Sequence, residues 1–319
     1  MSMKFVDSRR DIPTHSVRVM SPLGVYPADT IVNGDSAFLA SDDICFTVVP
    51  YSVDDVDNGH YYSEVEWATI NEIRLYSSIL LSVDRGIGYS RIYPFFISHL
   101  IKISKNDSIE NNFENISNKL IEIINAPPKV IDGFVHSATN SYRTSKGISL
   151  PPVCGGPRYS LRKEGYQYQL QTELFNSFDT SDYLMIRGVS TLLRSGMLTA
   201  HYQFLEEAIN TTFISLEASF RLVLRKLKTI GVNNPSSKDA ADYIANVFYS
   251  DAANKYFEEY YESRIKSLHP ESRFGVFPHA PLMADDCYDL FDDLIEVYCY
   301  LICNYVHPKH QERFNRFET

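Results

Sequence analysis

A chain of 319 residues with 44% hydrophobic and 22% charged side chains is long enough for two domains of ordinary size and too apolar to stay unfolded. Its net charge of -10 excludes general cationic attraction as a means of holding nucleic acid, so such binding would need a local basic patch. The five cysteines, Cys45, Cys154, Cys287, Cys299 and Cys303, lack the paired spacing of a disulfide framework, and reduced cytoplasmic thiols are the expected state.

The N-terminal part reads as strands and turns. Ser16 to Met20, Ala37 to Ala40 and Ile44 to Val49 are short runs of β-branched and aromatic character, and Asn33-Gly34 is a hairpin-type dipeptide. Asp54 to Gly59 is an acidic loop. From Glu64 to Leu80 the apolar positions (Val65, Ile70, Ile73, Leu75, Ile79, Leu80) take helical spacing, and Tyr93 to Ile103 is apolar enough to be buried. Asn106 to Asn112 is a polar loop before a helix over Phe113 to Ile124, which Ala126-Pro127-Pro128 closes.

Residues 127–165 are rich in proline and glycine and carry Arg143, Lys146, Arg158, Arg162 and Lys163. They read as a long surface connection with solvated charges, or as a phosphate contact with Tyr159, Tyr166 and Tyr168 as stacking platforms. Gly155-Gly156 is not a Walker loop, because no Gly-Lys-Ser/Thr follows it.

From Ser181 onward the pattern is helical: Leu184 to Leu198, Tyr202 to Ile230, Ala240 to Phe248, Ala252 to Leu268 and Asp286 to Tyr305. Ser237 or Asp239 can cap the third of these and Asp285 the last. The expected fold class is therefore α+β: a mixed strand and helix domain over residues 1–180, then an all-helical domain over residues 181–319. Ser181 to Thr319 contains 14 Lys and Arg against 19 Asp and Glu, so the acidity is spread over both halves. Met1 to Arg10 has charges but no apolar core, so no secretory signal is expected, and Glu296 and Asn304 interrupt the longest apolar run, so no membrane span is.

The segment with chemical content is Arg264-Ile265-Lys266-Ser267-Leu268-His269-Pro270, followed by Glu271-Ser272-Arg273-Phe274-Gly275. Five residues along an ideal helix give about 7.5 Å of rise and about 140° of rotation, so Arg264 and His269 are not helix-face neighbours. Pro270 disfavours helix at His269, which ends the helix there and frees the imidazole to turn. Two-fold symmetry offers a second route, with Arg264 of one subunit meeting His269 of the other. The plainer alternative is an arginine paired with Glu258 or Glu262 and a histidine capping the helix C-terminus.

An arginine, four intervening residues and a histidine at a helix end resemble the signature of the HEPN ribonuclease superfamily, and His269 to Gly275 resembles its Apea-like branch. Glu206-Glu207-Ala208, Ile214 to Leu224 and the helix opened by Ala284-Asp285-Asp286 are similar to the flanking helices of such a domain. The resemblance implies an all-helical HEPN-like bundle in the C-terminal domain and a metal-independent, cofactor-free endoribonuclease working as a homodimer. Its partner would be RNA, its setting antiviral defence or a toxin system in the cytoplasm. The N-terminal domain would sense a protein or phage-derived trigger.

Within that frame His269 transfers protons, Arg264 holds the developing phosphorane charge, and the RNA 2'-hydroxyl is the nucleophile, so the product is a 2',3'-cyclic phosphate. Lys266, Ser267 and Arg273 are supporting residues, and Glu217, in an apolar stretch, would hold an arginine such as Arg187 or Arg264 in place. Members of the superfamily often carry a polar residue directly after the arginine, where this chain has Ile265. The alternative is therefore a catalytically inactive HEPN dimer serving as a binding or scaffold module. A weaker third reading is a nucleotide-binding or nucleotidyl-modified regulator using Tyr260 or Tyr261. A zinc site on Cys299, Cys303, His307 and His310 is not expected, because the first and third would stand about 12 Å apart along a helix.

Overall fold

A computed structural model describes residues 4–5, 13–51, 67–84, 90–104, 108–125, 159–248 and 284–308. The chain is α+β, with antiparallel sheet in its N-terminal part and most of its helices in its C-terminal part. It divides into two compact units, residues 1–75 with 89–165 and residues 76–88 with 166–319. The division near Gly165 differs from the expected one near residue 180 for a local reason. Residues 167–171 are bonded to the 76–88 segment: Gln167 N-H donates to the Ser82 carbonyl (2.9 Å) and Gln171 Nε2 to Ser78 Oγ (2.8 Å).

In the first unit, six strands form an antiparallel sheet: β1 (Lys4–Phe5), β2 (His15–Met20), β4 (Ile31–Asn33), β5 (Ser36–Leu39), β6 (Phe46–Pro50) and β7 (Pro94–Lys102), in the spatial order β1-β7-β2-β6-β5-β4. Two short strands, β3 (Val25–Pro27) and β8 (Ser160–Arg162), pair in parallel beside it. The hairpin at Asn33 forms, but one position further on than the dipeptide suggests. Asn33 pairs with Ser36, leaving Gly34 and Asp35 as the two central residues. Gly34 takes φ +58°, the sign a type II′ turn demands of its first central residue.

One sheet face carries Val17, Val19, Ala37, Phe46, Val48 and Ile101, which pack with Ile109, Ile116 and Leu120 of helix α2 (Ile109–Asn125). Each of these side chains larger than alanine contributes roughly 1.5–3 kcal/mol on burial. Helix α2 starts four residues earlier than its apolar spacing implies, because Ser108 Oγ accepts the Asn111 N-H (3.2 Å) and caps it.

The opposite sheet face is also buried, at Arg18, Phe38 and Thr47, which is why β2 and β6 show no alternation of buried and exposed residues. Helix α1 (Ile70–Leu81) begins later than expected, behind a capping box. Thr69 Oγ1 accepts the Glu72 N-H (3.2 Å) and Glu72 Oε2 accepts the Thr69 N-H (2.8 Å).

Two histidines lie diagonally on the face that carries Val17: His99 opposite Val17 and His15 opposite Ile101. Burial lowers the pKa of both below the ordinary value of about 6.5, with Asp35 opposing the shift at His15. The unfolded chain therefore binds more protons than the folded one below about pH 6.5, and stability falls as pH drops through that window. We expect a lower urea midpoint at about pH 5.5 than at about pH 7.5, with a smaller difference in His99→Gln. Trp67, the chain's one tryptophan, lies in this unit and reports the transition.

The second unit holds α3 (Tyr168–Ser177), α4 (Tyr183–Leu198), a 3-10 turn (Tyr202–Phe204), α5 (Leu205–Thr229), α6 (Ser237–Phe248) and α7 (Ala284–Cys303). Helix α3 was not expected. Its apolar stripe, Leu170, Leu174 and Phe175, is short and follows a glycine-rich approach.

Helices α4 and α5 form an antiparallel pair joined by a seam of small polar residues. Ser195 Oγ lies 2.5 Å from Thr212 Oγ1 and donates to the Ala208 carbonyl (3.0 Å), and Ser215 Oγ donates to the Gly188 carbonyl (2.8 Å). Tyr298 of α7 enters the seam and donates from its hydroxyl to the Ser215 carbonyl (2.8 Å). Helix α5 ends in a Schellman motif. Val232 N-H bonds the Leu227 carbonyl, Gly231 N-H bonds the Lys228 carbonyl, and Gly231 supplies φ +96°.

The cap of α6 is Ser236 rather than Ser237. Its Oγ accepts the Asp239 N-H (3.3 Å), and Asp239 Oδ2 accepts the Ser236 N-H (2.7 Å), which holds the Asp239 carboxyl below its ordinary range. Asp285 falls inside the first turn of α7 rather than at its cap. Helix α7 stops where Asn304 turns into the left-handed region (φ +58°) and donates its N-H to the Tyr300 carbonyl (2.9 Å). Among the described residues no helix is long and apolar enough to cross a membrane.

Candidate functional site

Arg264, Lys266, Ser267, His269 and Arg273, with the helix expected over Ala252 to Leu268, lie outside the described residues. So do Arg143, Lys146, Arg158, Tyr260, Tyr261 and His310. Two concavities are built on α4 and α5.

The first, of about 320 Å³, runs between Leu184 and Arg187 of α4 and Asn210, Phe213, Ile214, Glu217, Ala218 and Arg221 of α5. Its floor is apolar because Phe213 and Ala218 turn into the helix pair. Its rim is polar because Arg187, Glu217 and Arg221 fall on the outer stripes of the two helices. Glu217 is thus half-exposed, not sunk in the apolar stretch, and its Oε1 lies 3.8 Å from Arg221 Nη2, one turn along the same helix. It shares the concavity with Arg187, one of the two arginines it was expected to hold.

The second concavity is lined by Asp179, Asp182, Leu222, Arg225, Lys226 and Leu301. Asp182 caps α4 by accepting the Met185 N-H (3.2 Å) and is gripped by both terminal nitrogens of Arg225. Ser181 bonds the Asp179 carboxylate through its hydroxyl and its N-H, which lowers the Asp179 pKa. Lys226 Nζ donates to Asn304 Oδ1 (2.6 Å) and stands 4.0 Å over the Tyr300 ring, and burial lowers its pKa. The Tyr300 hydroxyl lies 2.5 Å from that of Tyr243, and burial raises its pKa. Each charge here has a local partner that fixes a helix end, so this cluster joins α4, α5 and α7 rather than presenting free groups to a ligand.

The described thiols, Cys45, Cys299 and Cys303, are held as structural groups. Cys299 Sγ donates to the Leu81 carbonyl (3.1 Å) and Cys303 Sγ to the Cys299 carbonyl (3.3 Å). Burial pushes Cys303 up to about 11 and Cys45 up to about 12, so both stay protonated at neutral pH. His307 Nε2 lies 3.6 Å from Asp84 Oδ1. Among the described residues no group of three or more His, Cys, Asp and Glu converges as metal ligands do.

Tyr159 is not a stacking platform. It is buried, donates to the Met20 carbonyl (3.0 Å) and packs beside the Tyr26 ring at 6.2 Å. Of its basic neighbours, Arg162 ends β8, paired with Pro27, and Lys163 follows it on the surface. Arg187 and Arg221 had no local signal marking them as a pair, because they sit on different helices and meet only through the α4–α5 packing.

Comparison of the chain with protein-family models, with curated proteins and with solved structures finds no match.

Proposed function

We propose that the chain is a metal-independent endoribonuclease acting as a homodimer. Arg264 and His269 form its site, and Lys266, Ser267 and Arg273 support it. The observation that carries this reading is the arginine and histidine five residues apart, directly before Pro270, between long helices. Those flanking helices support it: α5 is a 25-residue amphipathic helix upstream and α7 a 20-residue helix downstream.

The chemistry needs little. The RNA 2'-hydroxyl attacks the adjacent phosphorus, His269 takes or returns the proton, and the Arg264 fork stabilises the charge on the phosphorane oxygens. The leaving 5'-oxygen is protonated and a 2',3'-cyclic phosphate remains. Glu217 and its partner Arg221 lie in the α5 surface beside Arg187, where a charged lining serves substrate more directly than it serves the fold. The biological setting this implies is a cytoplasmic defence or toxin nuclease whose first unit receives a protein or phage-derived trigger.

Ile265 after the arginine and the net charge of -10 favour a second reading, a non-catalytic dimer that binds a protein partner. The two separate on one experiment: incubation of the purified chain with mixed RNA in EDTA, beside Arg264→Ala and His269→Ala. Cleavage that persists in EDTA, leaves cyclic phosphate ends and disappears in both variants is the expected result. Equal cleavage by His269→Ala, or cleavage of an all-DNA substrate, would remove the ribonuclease reading.

A further inference from the structure

An acidic protein that acts on RNA needs somewhere to put the phosphates, and the α4–α5 pair offers a place for them. Helix α4 carries Arg187 and Arg194 and no carboxylate. Over its whole length α5 carries Arg221, Arg225, Lys226 and Lys228 against Glu206, Glu207 and Glu217. The α4–α5 pair therefore carries six cations against three carboxylates in a chain of net charge -10. Arg225 bonds Asp182 and Lys226 bonds Asn304 at the other concavity; Arg187 and Arg221 rim the groove described above, where Arg221 Nη2 lies 3.8 Å from Glu217 Oε1.

Two further features favour a single strand over a duplex. The groove has apolar surface at Leu184 and Ile214, against which unpaired bases can lie, and Ile214 is itself exposed. Tyr183 is 68% exposed, large for an aromatic ring, and lies one helical turn before Arg187 on the same stripe. Cations that track a backbone beside an exposed aromatic ring are the two components of sequence-tolerant single-strand binding.

We propose that the groove between α4 and α5 binds single-stranded RNA, with Arg187 and Arg221 on the phosphates and Tyr183 stacking on a base. The choice of RNA rests on the ribonuclease reading; the preference for a polyanion rests on the charges. Arg187, Arg221 and Tyr183 are assigned to binding and take no part in the proton transfers given to His269.

The test uses the full chain in EDTA and a labelled 2'-O-methyl oligonucleotide of about 16 nucleotides, within the range of single-strand site sizes and closed to 2'-hydroxyl attack. Binding is followed by fluorescence anisotropy across a salt series. Each lost phosphate contact lowers the slope of log K against log salt by about 0.7, so Arg187→Ala with Arg221→Ala is expected to lower it by about 1.4. Lysine at both positions should restore most of the slope, and Tyr183→Ala should weaken binding with the slope intact. Both arginines are exposed at the surface, so thermal unfolding should not change.

An unchanged slope in the double variant overturns the assignment while leaving the ribonuclease reading standing. No salt-dependent binding by the native chain also overturns it, and so does equal competition by polyglutamate of matched charge, which would point to an acidic protein partner. Binding with the expected slope loss, in a protein that cleaves no RNA, supports the groove and removes the nuclease instead.

Discussion

Glu72→Ala is expected to destabilise the first unit by about 3–5 kcal/mol, the range for removing one partner of a buried ion pair. Arg18 sits in the second strand with its side chain 7% exposed, and Glu72 is fully buried. The two meet in a fork: Arg18 Nε to Oε1 at 2.7 Å and Nη2 to Oε2 at 2.9 Å. Nη1 donates to the Phe95 carbonyl (3.0 Å), so the guanidinium also ties β2 to β7. Alanine at 72 leaves that cation in a site with little water and also removes half of the capping box with Thr69. Trp67 fluorescence in urea should show a lower midpoint with little change in slope.

The ion pair itself need not be net favourable, since desolvating two charges can cancel their attraction. Arg18→Met combined with Glu72→Leu is accordingly expected to lose less than Glu72→Ala alone, with the remaining loss of about 1 kcal/mol set by the vanished cap. A double variant as unstable as the sum of the singles would refute this account and show that the pair contributes beyond its mutual compensation.

Gly188→Ala is the second large effect, expected to cost about 2–3 kcal/mol net. A Cβ at Gly188 would stand 2.1 Å from the Tyr298 hydroxyl oxygen, 2.8 Å from its Cζ and 3.1 Å from Ala218 Cβ. Tyr298 is fully buried and bonded through its hydroxyl to the Ser215 carbonyl, so it has no free volume to enter. Alanine favours a helix over glycine by about 1 kcal/mol. Against that stand overpacking, about 1–3 kcal/mol, and a strained or broken buried hydrogen bond of about 1–3 kcal/mol.

Steric cost wins. Tyr298→Phe removes the clashing oxygen, so in a double-mutant cycle followed by the helical circular dichroism transition the two changes should couple by about 1 kcal/mol or more. Additive losses would mean that the glycine is not there for the tyrosine.

The contrast between these two sites marks how far the chain could be read without its fold. Runs such as Ile44 to Val49 and the spacing of Ile209, Phe213, Leu216, Val223 and Leu227 carry the class of each element in themselves, because pleat and helix impose periods of two and 3.6 residues on whatever covers them. The Arg264–His269 spacing is equally local and equally legible as a pattern.

Element boundaries were less so. Helix α1 begins at Ile70, behind Thr69, and α6 is capped by Ser236, because a cap is decided by which of several hydroxyl or carboxyl groups reaches a free N-H. Tyr159 reads as an exposed platform beside prolines and glycines, and only the pairing of β8 with β3 places it against Tyr26 and the Met20 carbonyl.

The sequence alone determined the α+β class, the helical C-terminal half, the scarcity of positive charge and the one motif with a reaction attached to it. The tertiary structure decided what meets across distance. It joined Arg18 to Glu72, brought Tyr298 onto Gly188, turned Glu217 toward Arg221 at the surface, and set Arg187 and Arg221 on one groove. Propensity, capping and periodicity act over a few residues and leave their mark in the local pattern. A pair 54 residues apart, or 83 apart as Ser215 and Tyr298 are, is selected by packing shape and polar satisfaction, for which neighbouring residues carry no signal.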